Sequence, residues 1–141
     1  MNTALDRCIG KRLLQARQLY FDAGNRKCGW VDKIELCLDG EIVVIGTINY
    51  DGECYIEQSN LEQESDDELY FIEDLANVPP WSTCVGKSLS CVAYDIEETL
   101  ATTSGIRLRG ITLTFENAGA VKVFAVLDCP GLHTAATLQP T

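Results

Sequence analysis

From Ile34 to Gly86 the chain has no lysine or arginine, although that stretch holds thirteen of its 21 acids. All 11 bases and the other eight acids lie outside it, so the formal charge of −10 originates entirely in those 53 residues. A field of this sign repels nucleic-acid backbones and attracts basic proteins. Histidine is nearly absent too: His133 stands alone, which removes any two-histidine metal motif. Cys129 and His133 offer two zinc ligands where a structural site needs four, and no Cys-x-x-Cys pair completes the set. Long apolar runs are also lacking. The longest, Ile42 to Ile48, is strand-length, far short of the roughly 18 to 20 residues that cross a bilayer. Asp6 and Arg7 interrupt the N-terminus where a signal peptide needs its apolar segment, so the expectation is a cytoplasmic protein that is not in the membrane.

What is present describes a folding domain. At 141 residues with 46% apolar content, the chain can bury a core without disulfides or a metal. The seven cysteines are odd in number and irregularly spaced, which disfavours a disulfide framework. They read as reduced thiols, most of them packed as small buried hydrophobes.

Turn chemistry punctuates the chain. Ile34, Leu36 and Leu38 alternate as one face of a half-buried strand; Asp39-Gly40 accepts the positive φ of a tight hairpin, and Ile42 to Ile48 returns. Asp51-Gly52 then leads into a further strand, Glu53 to Glu57. Thr3 and Asp6 form a capping-box pattern ahead of a short helix over Leu5 to Ile9. Residues 58 to 68 read as an exposed acidic loop and Leu69 to Leu75 as a short helix stopped by Pro79-Pro80. After the prolines come strands around Leu89 to Tyr94, Ile111 to Phe115 and Val121 to Leu127, and a small, polar, loosely held tail.

Two stretches match. Cys8-Ile9-Gly10-Lys11-Arg12-Leu13 and Cys84-Val85-Gly86-Lys87-Ser88-Leu89 share four of six residues at an offset of 76, and the strands at Ile34 and Ile111 follow at an offset of 77. Arg12 to Phe21 carries a helical apolar stripe, but equivalence with Ser88 to Ile96 makes it a strand. The expected fold is therefore mainly β within the α+β class: two pseudo-repeated antiparallel meanders with one or two short helices, in one domain. The repeats span about 5–57 and 81–131, joined by an acidic connector, 58–80, and followed by a tail, 132–141.

A Gly-Lys-x-Leu segment followed by a strand and a hairpin resembles a repeat found in small bacterial proteins of uncharacterised function, some of them grouped with the immunity proteins of toxin systems. The resemblance covers residues 8 to 57 and 84 to 128. It implies a fold and a bacterial setting, and it attaches no role to Gly10, Lys11, Gly86 or Lys87.

No catalytic residue, cofactor or metal site is expected. Gly86-Lys87-Ser88 ends like a phosphate-binding loop, but Trp81 replaces the required upstream glycine. Acidic pairs such as Asp66-Asp67 lack the alternating ligands and central glycine of a calcium loop. Trp30, Trp81, Tyr70 and Phe71 fit either a core or an interface. The leading expectation is a non-enzymatic binding protein that docks Glu62, Glu64, Asp66, Asp67, Glu68 and Tyr70 on a basic protein, as an immunity protein docks on a toxin. The alternatives are a small-molecule or enzymatic site in the cleft between the repeats, and an architectural homo-oligomer.

Overall fold

The computed structural model describes residues 3–22, 29–48, 50–64, 69–98 and 106–137. Among the described residues nine strands are formed: β1 (Leu13–Asp22), β2 (Gly29–Leu38), β3 (Glu41–Ile48), β4 (Glu53–Glu57), β5 (Tyr70–Asp74), β6 (Leu89–Glu98), β7 (Ile106–Phe115), β8 (Gly119–Ala125) and β9 (Leu132–Thr137). The helical pieces among the described residues are 3-10 turns at Asp6–Cys8, Leu61–Glu64 and Trp81–Thr83. All strand pairs are antiparallel, and the sheet runs β4-β3-β2-β9-β8-β7-β6, with β1 and then β5 added on the other side of β2.

The fold is mainly β and pseudo-repeated, β1–β4 against β6–β9. Registers agree residue for residue: Leu36 faces Val43 as Leu113 faces Val121, and Ile45 faces Ile56 as Val123 faces Thr134. Irregularities agree as well. The β1–β2 ladder shifts at Leu13/Gln15 and Leu19/Tyr20, and the β6–β7 ladder shifts 76 positions later at Leu89/Cys91 and Asp95/Ile96. β-Bulges bend and twist a pair, so both meanders curl alike. From Leu36/Leu113 to Val43/Val121 the offset grows from 77 to 78, and the cause is local. Asp39-Gly40 is a two-residue turn with φ of 37° and 87°, as type I′ geometry needs, whereas the turn from Phe115 to Gly119 is one residue longer.

The shared Gly-Lys-x-Leu segments join the repeats. Gly10 N–H donates to the Leu89 carbonyl (2.7 Å) and Gly86 N–H to that of Leu13 (2.7 Å); Leu13 N–H donates to Lys87 (2.9 Å) and Leu89 N–H to Lys11 (2.8 Å). These four bonds are reciprocal, as a local two-fold axis requires. The two glycines sit at φ of 93° and 88°, a region other residues enter only at a cost. Beneath them Leu13, Leu89, Cys8, Cys84 and Trp81 are all at most 2% exposed, so packed side chains fill the junction between the repeats.

The core continues through Ile34, Leu36, Val43 and Ile45 from one repeat and Ile111, Leu113, Phe115, Val121 and Val123 from the other. Each of these side chains gains about 1.5–3 kcal/mol on full burial. Curling brings β4 against β7, where the Cys54 thiol donates to the Arg109 carbonyl (3.5 Å).

Several expectations change. Leu69 to Leu75 is not a helix: Tyr70–Asp74 is a strand on the outer edge of β1, with Asp22 N–H bonded to Leu69 and Leu75 N–H to Ala16. The connector is not merely an exposed loop, since Leu61 and Leu75 are buried at 0% and 3% exposure. Leu132 to Thr137, read as part of a loose tail, is strand β9 on β8. The Thr3–Asp6 capping box forms, with Thr3 N–H on the Asp6 carboxylate (2.7 Å) and Asp6 N–H on the Thr3 hydroxyl (3.4 Å), but it starts a 3-10 turn.

Candidate partner-binding surfaces

The acidic segment folds back onto the bases that precede it. Glu35 on β2 is 2% exposed; its carboxylate accepts from Arg17 Nε (2.7 Å) and from Leu61 N–H (3.0 Å). Arg17 also reaches Glu62 (3.2 Å), and its guanidinium is held more firmly protonated than usual, chiefly by the bond to Glu35. Lys11 lies 3.9 Å from Glu41, and Lys33 3.8 Å from Glu57. Part of the charge excess is thus balanced inside the fold. The bonds of Glu35 to Leu61 and of Arg17 to Glu62 pin the connector across the outer face of β1–β3, where Leu61 packs on Leu19 and Val44 in a small second core.

This geometry sorts the six expected partner-binding residues. Glu62 is exposed but engaged by Arg17, and Tyr70 is half-buried in β5 with its ring 5.2 Å from that of Phe21. Glu64 has its backbone in the 3-10 turn Leu61–Glu64. Asp66, Asp67 and Glu68 lie outside the described residues. Glu62 and Tyr70 therefore have structural duties. Among the aromatics, Trp81 is core, Trp30 packs on Phe21 with ring centroids 4.6 Å apart and the planes tilted by 35°, and Phe71 is 51% exposed.

A different surface lies where the β3–β4 and β8–β9 turns meet. Asp51 and Leu127 form a bridge, and Asp128 N–H donates to the Tyr50 carbonyl (2.9 Å). Tyr50 and Asp128, 78 residues apart, both have left-handed backbone, with φ of 59° and 64°. A bulky residue seldom holds that conformation. Ile48, Tyr50, Val126 and Leu127 are 42%, 51%, 37% and 59% exposed there, with the acids Asp51 and Asp128 in the two turns and Glu53 at the start of β4. Arg109 reaches into the turn but bonds the carbonyls of Asp51 (2.7 Å) and Gly52 (2.8 Å). The sequence carried a signal for this pole in its two turns, Asp51-Gly52 and Asp128 to Gly131, yet did not show that they would meet.

The remaining chemistry is muted. Cys8, Cys54 and Cys84 are buried; burial raises their thiol pKa values, that of Cys54 to about 11. Such thiols are poor nucleophiles near neutral pH. Cys91 and Cys129 are exposed, unlike the buried packing expected of most cysteines, and Cys28 lies outside the described residues. The phosphate-loop resemblance loses its donors, since Gly86 N–H is bonded to Leu13 and Lys87 N–H to Cys84. A shallow depression of about 260 Å³ is lined by Gly40, Ile42, Gln58, Ser59 and Asn60. No group of three metal-ligating side chains and no helix long and apolar enough to cross a membrane occurs among the described residues. Comparison with protein-family models, curated proteins and solved structures finds no match.

Proposed function

We propose that this chain is a non-enzymatic protein-binding domain that docks on a basic protein surface, as an immunity-type inhibitor docks on a basic bacterial toxin. The observation that carries this reading is the pole. Ile48, Tyr50, Val126 and Leu127 place four exposed apolar side chains at and beside the two meeting turns, with Asp51, Glu53 and Asp128 among them. Exposed apolar groups rimmed by charge are characteristic of protein interfaces, and large aromatics such as Tyr50 supply much of the energy there. An acidic rim selects a basic partner and speeds its approach. The acids of the connector, Glu62, Glu64, Asp66, Asp67 and Glu68, add to the long-range field.

The test is titration calorimetry of the full chain against the purified product of the neighbouring gene. A basic partner that binds with micromolar affinity or better, weakens as salt rises, and loses at least tenfold in affinity to Tyr50→Ser combined with Leu127→Ser supports the reading. Neutralising the five connector acids should reduce the salt dependence. No binding, or binding indifferent to both the double variant and salt, overturns it.

A further inference from the structure

The two repeats present the same strand edge in two conditions. On β1, residues Arg17 to Phe21 pair with β5, and the flanking bonds from Leu75 to Ala16 and from Asp22 to Leu69 extend that ladder. The equivalent edge of β6, 76 positions on, spans residues 92 to 98. There the ladder stops: β6 pairs with β7 on one side, touches the first repeat at the Arg12–Ser88 bridge, at Leu89 through its bonds with Gly10 and Lys11, and at Tyr94, whose hydroxyl lies 2.6 Å from that of Thr3, and has no strand on its outer edge among the described residues. Because both bulges are shared, β6 offers its backbone as β1 does. The odd-even pattern on β1 puts the outward N–H and C=O groups at Ala16 and Asp22, hence at Val92, Tyr94 and Ile96 on β6.

We infer that the outer edge of β6 is a strand-addition site for an extended, antiparallel segment of a partner protein carrying an apolar-basic-apolar triplet. The covered copy supplies the orientation, and the differences between the copies supply the chemistry. Leu19, which faces Ile72 on β5, is replaced by Asp95, whose side chain is 58% exposed. Opposite Asp95 the added strand needs a base, not an isoleucine. Tyr20, which faces Phe71, is replaced by Ile96, 42% exposed, and Gln18 by Tyr94, so the two flanking positions call for apolar residues. Lys122 lies 3.5 Å from Asp95 and leaves it accessible. A second copy is the poorer occupant. Two-fold pairing centred on the open stretch sets Asp95 against its own copy, and the strand's other charges, Glu97 and Glu98, are also acidic. Backbone pairing of this kind gives affinity, and the alternating side chains give selectivity.

This site shares no residue with the pole, so each can fail alone. The probe is the capped peptide Ser-Thr-Val-Lys-Val-Thr-Ser, titrated into the full isotopically labelled chain, with the same peptide carrying Glu for Lys as control. Expected are shifts and at least fivefold slower amide exchange at Val92, Tyr94 and Ile96. The Lys peptide should bind at least fivefold more tightly than the Glu peptide. Ile96→Pro, which removes an outward N–H, should abolish binding, and Asp95→Lys, an exposed change, should reverse the peptide preference. Tyr50→Ser should leave all of this unchanged. The inference is overturned if the shifts fall elsewhere, if the two peptides bind alike, or if those amides are already protected in the free chain, as a monomer or as a sedimenting dimer.

Discussion

Replacing Glu35 with alanine should release the connector before it unfolds the domain. Two losses add. The Arg17 pair would cost about 3–5 kcal/mol to break if fully buried. Arg17 is 20% exposed, however, and solvent screening brings this to about 1–2 kcal/mol. Leu61 N–H then loses its acceptor at a buried position, for about 1–3 kcal/mol. The expected total is about 3 kcal/mol, a large share of the 5–15 kcal/mol that holds a typical domain. Glu35→Gln keeps an oxygen for Leu61 N–H and gives up only the charge, so it should cost about half as much. Urea unfolding followed by tryptophan fluorescence measures both, and native-state hydrogen exchange locates the loss. Protection should fall first at Leu61 and at Tyr70 to Leu75, with Ile111 and Leu113 retaining theirs. If Glu35→Ala costs less than 1 kcal/mol, or no more than Glu35→Gln, the pinning argument is wrong; uniform loss of protection would also refute it.

Two further outcomes follow from the junction and the buried thiols. Gly10→Ala and Gly86→Ala should each destabilise by about 1–2 kcal/mol, because only the backbone conformation is penalised: an added Cβ meets nothing within 4 Å at either position. Urea midpoints measure both costs, and values differing by more than about 1 kcal/mol would deny the two-fold equivalence. The fold holds Cys8, Cys54 and Cys84 in the neutral form, Cys54 up to about pH 11, whereas an unfolded thiol ionises near its ordinary value of 9.0. Stability contributed by these groups is therefore fully present below pH 9 and is lost as pH rises toward 11. Urea midpoints across that window should fall, less steeply in Cys54→Ala, and a flat profile would contradict the assignment.

The mainly β, pseudo-repeated fold was legible because alternation and turn chemistry repeat at nearly one offset. What misled was burial on two faces. Leu13, Ala16 and Leu19 fall three apart, like a helical stripe. The spacing arises because the ladder shifts between Leu13 and Gln15, and because Leu19 is buried on the opposite face under the connector. Only comparison with the second copy showed that the segment was a strand. Leu69, Ile72 and Leu75 are spaced in the same way for a similar reason: Leu75 joins the main core and Ile72 packs against the smaller one. No local pattern distinguishes these cases from helix, because the covering element is distant in sequence. The surroundings of the candidate acidic residues were harder still to read. A run of acids counts charge but not its neighbours, and Arg17, eighteen residues before Glu35 and forty-five before Glu62, meets both only in the folded chain.

Comparing equivalent positions separates what the fold requires from what is free to vary. Cys8 and Cys84, Gly10 and Gly86, and Leu13 and Leu89 are identical, and all six lie at the joint between the repeats. Across the outer face the copies part. Where the first repeat has Leu19, Glu35 and Val44, buried under an added connector, the second has Asp95, Thr112 and Lys122, with nothing from the described connector over them. Had the second face lost its cover while keeping apolar residues, it would be a sticky surface. Its substitution by small and charged groups, beside a strand edge with no partner among the described residues, is what keeps such a surface in water. Under the proposed function the acidic excess of the first repeat and the β6 edge, unpaired among the described residues, would be complementary: one would draw a basic protein in at long range, and the other would hold it by its backbone.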